Sequence, residues 1–231
     1  MALEVIAWTP FHEEQVLAIV DSLLETQKTV KLIDDAYWKT RRVVLSWLLQ
    51  FVSRNAVILE ANETHQQRII EHLIRHSLRD PELAVRIQAR NLLTALIQST
   101  SLKKTDKIKA LQARFEKLAR TKLAKRNYEK SEGGFDQKHA QGLKLRKKHC
   151  GILGLSSLIL SVPYLCPAWL PEVLSFVAVF DRERAPIGST AKQTVAEFKR
   201  THQDEWHLFK RQFTMDQLAN IQDASSNSYF V

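Results

Sequence analysis

The stretch DPELAVRIQARNLLTAL, Asp80 to Leu96, decides the fold. Asp80 followed by Pro81 makes a sharp start: an acidic cap, then a residue whose missing N–H does no harm in a first helical turn. Beyond it Val85, Ala89, Leu92, Leu93 and Leu96 return at the three- and four-residue spacing of one helix face. Such a stripe must be covered by another element, and the small Ala89 lets a neighbouring helix approach closely. Arg86 lies at the edge of the stripe, where it is expected to reach acidic or carbonyl groups of a neighbouring helix pair.

Outward from this segment the same period continues in both directions. Phe11, Val16, Ile19, Val20, Leu23 and Leu24 mark a helix opened by Pro10, and a second helix is expected from about Lys31 to Leu59, with a break near Ser53-Arg54-Asn55. Arg41 stands out on its apolar side. Asn62-Glu63-Thr64 reads as the cap of a third helix carrying Ile69, Ile70, Leu73, Ile74 and Leu78. A basic helix is predicted over about 105–125, and an exposed loop over 127–136. Helix resumes near Gln137 and enters the apolar run Cys150–Val162, expected as a central core helix. Further helices are predicted over 170–180, over 191–206 and after Thr214, with a loop over 181–190. No alternating segment of useful length is present, so a sheet is not expected.

The Asp80 segment matches the pattern of a HEAT repeat, and Tyr37–Leu49, His149–Leu160 and Ile187–Phe198 are weaker echoes of it. A helix pair of this kind cannot bury its apolar face alone, so the pairs stack. The fold class read from the sequence is therefore all-α, a HEAT-like helical-repeat solenoid (an α-α superhelix) with divergent repeats. An irregular helical bundle is the alternative. The expected divisions are HEAT-like repeats over 1–126, the loop at 127–136, C-terminal helices over 137–223 and a tail at 224–231.

The chain has 231 residues and a formal net charge of +9. Between Lys103 and Lys148 lie 16 Lys/Arg and 5 Asp/Glu, a local net of +11, which leaves the remainder near neutrality. Its most concentrated residues are Lys122, Lys125, Arg126, Lys144, Arg146, Lys147 and Lys148. Such a block suits an acidic protein surface, an acidic peptide, nucleic acid or a nuclear localisation signal, or is simply a solvated helix face. Without interleaved exposed aromatics, any nucleic-acid binding here is expected to be weak, non-specific and steeply salt-dependent. The apolar run at 150–162 is too short to span a bilayer, and Met1–Pro10 has no basic segment leading into an apolar core. The expectation is a soluble intracellular protein without a membrane partner.

Chemistry-bearing constellations are sparse. His72 and His76 share a helix face, but no third or fourth ligand accompanies them, so no metal site is expected. Asp34-Asp35 and Asp204-Glu205 are sequence neighbours and do not face each other. Ser156-Ser157 lack the context of a nucleophile, and no glycine-rich phosphate loop occurs. Cys150 and Cys166 read as buried free thiols. The reading is a non-enzyme without a cofactor.

Several segments in order, Ala36-Tyr37-Trp38-Lys39, the Asp80 repeat, Arg146 to Pro167, Ala168-Trp169-Leu170-Pro171, Phe198 to Trp206, Gln212-Phe213-Thr214 and Asp216-Gln217-Leu218, resemble the C-terminal end of the proteasome activator complex subunit 4 family. Members are HEAT-repeat solenoids many times longer than this chain. The resemblance implies nuclear and cytoplasmic presence and binding to α-subunits of the core proteasome, with C-termini inserted between them. The family ends in a hydrophobic residue, a tyrosine and a final residue with a free carboxylate, and the matching positions here are Tyr229, Phe230 and Val231. The resemblance implies that the Val231 carboxylate pairs with a pocket lysine, that Tyr229 fills an apolar site, and that the penultimate aromatic shifts the gate. Phe230 departs from the pattern by lacking the phenolic oxygen. The family also has a bromodomain-like region that recognises acetylated histones. Its pocket positions match Leu59 and Thr100, neither of the family's residue type.

Overall fold

A computed structural model describes residues 11–33, 35–100, 102, 105–123 and 135–226. Among the described residues every regular element is helical. The helices are α1 (Glu13–Ile33), α2 (Trp38–Arg54), α3 (Ala56–Ala61), α4 (Glu63–Arg75), α5 (Leu83–Ser99), α6 (Thr105–Ala119), α7 (Phe135–Leu160), α8 (Leu170–Ala178), α9 (Ile187–His202), α10 (Trp206–Phe209) and α11 (Met215–Ser226), with short 3-10 turns between some of them. This is the all-α helical-repeat class expected from the sequence. The chain forms two compact units, Met1–Ile108 and Lys109–Val231.

In the first unit α2 and α5 make the most extensive helix pairing. Val44, Leu45, Leu48, Phe51 and Val52 of α2 are buried, as are Val85, Ala89, Leu92, Leu93, Leu96 and Ile97 of α5. Trp47 stacks on Phe51 with ring centroids 5.1 Å apart. Helix α1 packs on α2 and lines up Val16, Val20 and Leu24 on its buried side. All five apolar positions read for the third helix, Ile69, Ile70, Leu73, Ile74 and Leu78, are buried.

In the second unit α9 touches α7, α8 and α11. The apolar half of α7 is the core element expected: Cys150, Ile152, Leu153, Leu155, Leu158 and Ile159 are all buried. Two glycines set how closely α6 and α7 meet. A Cβ on Gly151 would stand 2.3 Å from the backbone nitrogen of Ala119, and one on Gly154 would stand 2.1 Å from the Phe115 ring.

Several boundaries differ from the sequence reading, for local reasons. The break at Asn55 is present, but α2 begins at Trp38 because α1 runs on to Ile33. Asn62 does occupy the N-cap position of α4, yet its side chain makes no capping bond. It donates to Glu13 and contacts His65 instead. Helix α6 stops at Ala119, where the backbone N–H and the hydroxyl of Thr121 both reach the Leu118 carbonyl. Helix α9 starts at Ile187 rather than Ala191. Gly188-Ser189 reads as loop in sequence, but Gly188 is a packing glycine, with Asp181 and Glu183 carbonyls where a Cβ would sit. Helix α7 begins at Phe135, and positions 127–134 of the expected loop lie outside the described residues.

Candidate functional site

Helix α11 is the last described element before Tyr229. Ile221 and Ala224 bury one side of this helix, which packs on α8 and α9. Asn220 fixes it further by donating from Nδ2 to the Ser175 hydroxyl at 3.0 Å. The helix ends at Ser226. Tyr229, Phe230 and Val231 follow and lie outside the described residues.

Leu59 and Thr100 sit in the first unit, where α3 packs against α5. Both are buried. The Thr100 hydroxyl donates to the Leu96 carbonyl at 2.6 Å and faces the Leu102 N–H at 3.4 Å. The single donor of this side chain is therefore already used to close the end of α5, and it does not project toward a ligand. Leu59 offers only a backbone carbonyl, which accepts from Gln66 Nε2.

The basic residues divide. Lys122, Lys144 and Lys147 are exposed and Arg146 is half-buried, while Lys125 and Arg126 lie outside the described residues. Lys148 is corrected out of the group. It is buried, its ammonium pairs with Glu183, and it lies 5.0 Å from the centre of the Phe180 ring. Position along α7 decides it: Lys148 lies one turn beyond Lys144 on the same helix face and meets Glu183 and Phe180 of the segment after α8, while Lys144 and Lys147 face solvent.

Arg86 also differs from expectation. Its Nη1 donates to the carbonyls of Asp80 at 2.6 Å and Pro81 at 2.9 Å, within its own repeat. Asp80 itself is the hub of a buried network. Its carboxylate takes two bonds from Arg41, at 2.8 and 3.0 Å, and one from the Glu82 N–H at 2.9 Å. Sequence reasoning missed this pair, although the signal was there: one arginine interrupting an apolar stripe, and one aspartate at a helix start.

The histidines offer no metal centre. His72 and His76 have ring centroids 5.2 Å apart, but no cluster of three metal-capable side chains exists among the described residues. Burial pushes the Cys166 thiol up to about 11, which makes it a poor nucleophile near neutral pH. No described helix is long and apolar enough to cross a membrane.

Residues 145–231 match the family described as "Proteasome activator complex subunit 4-like, C-terminal". The proteasome activator complex subunit 4 of Xenopus laevis is 36% identical over 209 residues, covering 90% of this chain and 11% of that protein. The human protein of the same name is 33% identical over 212 residues, 92% of this chain and 11% of its own length. Proteasome activator subunit 4 of Arabidopsis thaliana is 33% identical over 231 residues, 99% of this chain and 12% of that protein. The chain thus spans about a tenth of the length of the curated relatives it matches.

Proposed function

The chain belongs to the proteasome activator complex subunit 4 family, matching its C-terminal region, and on that premise we propose that it binds the α-ring of the core proteasome through Tyr229-Phe230-Val231 and promotes gate opening. One observation carries the proposal: the family match runs to the last residue, Val231, and includes the whole of α11. The chain acts as a non-catalytic activator, so peptide and protein cleavage is done by the core particle without ATP or ubiquitin. It works in the nucleus and cytoplasm.

The mechanism rests on the chemistry of the three residues. A terminal carboxylate offers two oxygens to a cationic pocket, a recurring mode of tail capture. Tyr229 supplies apolar area beside it. Phe230 supplies the penultimate ring but no hydroxyl. One missing hydrogen bond costs about 0.5–1.5 kcal/mol net, so docking persists and gate opening is weaker than with a tyrosine. In sequence, Asn227-Ser228 separates α11 from this key.

Binding to purified latent core particle tests the docking step, measured with the intact chain and with a form lacking Val231. The expected result is loss of at least tenfold in affinity on removing Val231. Equal affinity of the two forms rejects the tail as the docking element. In the first unit the Thr100 donor is engaged within the fold and the Leu59 side chain is fully buried.

A further inference from the structure

The exposed cations of α6 and α7 meet at one end of a helix pair. Gly151 of α7 abuts Ala119, in the last turn of α6, and Gly154 abuts the Phe115 ring one turn earlier in α6. As α7 advances, it therefore moves back along α6. The residues before Gly151 and the residues after Ala119 then share an end. Lys147 and Lys144 stand about 6 and 10 Å before Gly151 along the axis, at 1.5 Å per residue. Lys122 follows Ala119 by three positions; Lys117 precedes it by two, on the side of α6 turned away from α7.

Lys117, Lys122, Lys144 and Lys147 are exposed and Arg146 is half-buried. None of the five is paired with a described carboxylate. No Asp or Glu occurs from Gln137 to Pro171. Among the described residues, the carboxylates on neighbouring elements are Glu116, paired with Arg120, Glu183, paired with Lys148, buried Asp181, Glu197 of α9, Asp106 at the other end of α6, and Glu172, exposed on α8 one turn from the Phe176 ring that Arg120 covers.

We infer that this end of the α6–α7 pair is a docking surface for the phosphodiester backbone of a double-stranded nucleic acid. Four of the five cations are lysines, the residue depleted from protein–protein interfaces and suited to phosphate contact as a point charge. The surface reads no sequence, because it presents no amide or guanidinium fork in a fixed array and no exposed aromatic ring among the five. The site is separate from the tail, so its success or failure leaves the proteasome proposal where it stands.

The test is fluorescence anisotropy of a labelled 20-base-pair DNA duplex with the whole chain, from 50 to 200 mM salt. A duplex RNA of the same length identifies which source the shared backbone chemistry prefers. With the four cations at the shared end engaged, Lys122, Lys144, Arg146 and Lys147, affinity falls with a log–log salt slope of about −3.6, roughly 150-fold across that range. Lys144→Gln with Lys147→Gln makes the slope shallower by about two. Lys39→Gln with Arg42→Gln, on the exposed start of α2, leaves it unchanged. Helicity of each variant by circular dichroism keeps the comparison to folded protein. Removing Val231 has no effect on duplex binding. Absence of binding at 50 mM salt, a slope near zero, or an unchanged slope in the Lys144/Lys147 variant overturns the inference. Displacement of the duplex by polyglutamate at equal charge concentration also overturns it, and makes an acidic protein segment the partner.

Discussion

The two compact units hold their helix contacts with different chemistry. In the first, a full ion pair is buried at a repeat start: Arg41 of α2 reaches Asp80 before α5, both essentially without solvent exposure. In the second, the ion pair of Lys148 with Glu183 leaves its carboxylate about a third exposed, and the contact of α7 with α9 is made by hydroxyls and an imidazole. Ser156 bonds Thr194 at 2.7 Å, His149 bonds Thr190 at 2.9 Å, and glycines of α7 admit Phe115 and the Ala119 backbone of α6. A buried charge pair contributes little net stability over an apolar pair, but becomes very costly when one partner is removed. A hydroxyl pair or a glycine notch fails more gently. The units are thus alike in fold and unlike in how a single substitution damages them.

The largest expected effect tests the ion pair. Asp80→Ala removes two bonds to the Arg41 guanidinium and the acceptor of the Glu82 N–H, costing about 3–5 kcal/mol. Arg41→Met added to it recovers a good part of that loss. Urea unfolding followed by circular dichroism reads both, and equal instability of the single and double variants breaks the account of a buried ion pair.

Next comes the notch. Gly151→Ala sets a methyl group against backbone, which cannot move aside, whereas Gly154→Ala meets a ring. Overpacking of this kind costs about 1–3 kcal/mol, with Gly151 the more severe. Thermal melts rank the two, and the reverse order contradicts the backbone contact. Ser156→Ala costs less, about 0.5–1.5 kcal/mol, because Thr194 keeps its bond to the Thr190 carbonyl. The smallest effect belongs to the exposed pair of Arg75 and Glu71, where Arg75→Gln changes stability by about 0–1 kcal/mol.

The fold was legible because helical period and breakers carry it. The stripe from Val85 to Leu96 and the run from Cys150 to Ile159 are buried as the spacing required. What escaped were features that depend on distant partners. Nothing local to Arg41 names Asp80, 39 positions away. Gly188 reads as a loop residue until the carbonyls of Asp181 and Glu183 are seen against it. Lys148 belongs to a basic run in sequence and is buried in space, because its turn of α7 is the one that meets Glu183 and Phe180. For the candidate site, sequence names Tyr229, Phe230 and Val231, which lie outside the described residues, while the helix before them, α11, is described to Ser226. Thr100 turns its hydroxyl back onto the preceding turn, as a threonine at a helix end readily does.

The central claim is that the last residues act as a key to the core particle. The most direct measurement is hydrolysis of a short fluorogenic peptide by latent core proteasome, with the intact chain, the chain lacking Val231 and a Phe230→Tyr variant. The account predicts modest stimulation by the intact chain, none without Val231, and stronger stimulation by Phe230→Tyr, by a few-fold to about tenfold for one restored hydrogen bond. Stimulation that survives loss of Val231, or none from any of the three, contradicts it.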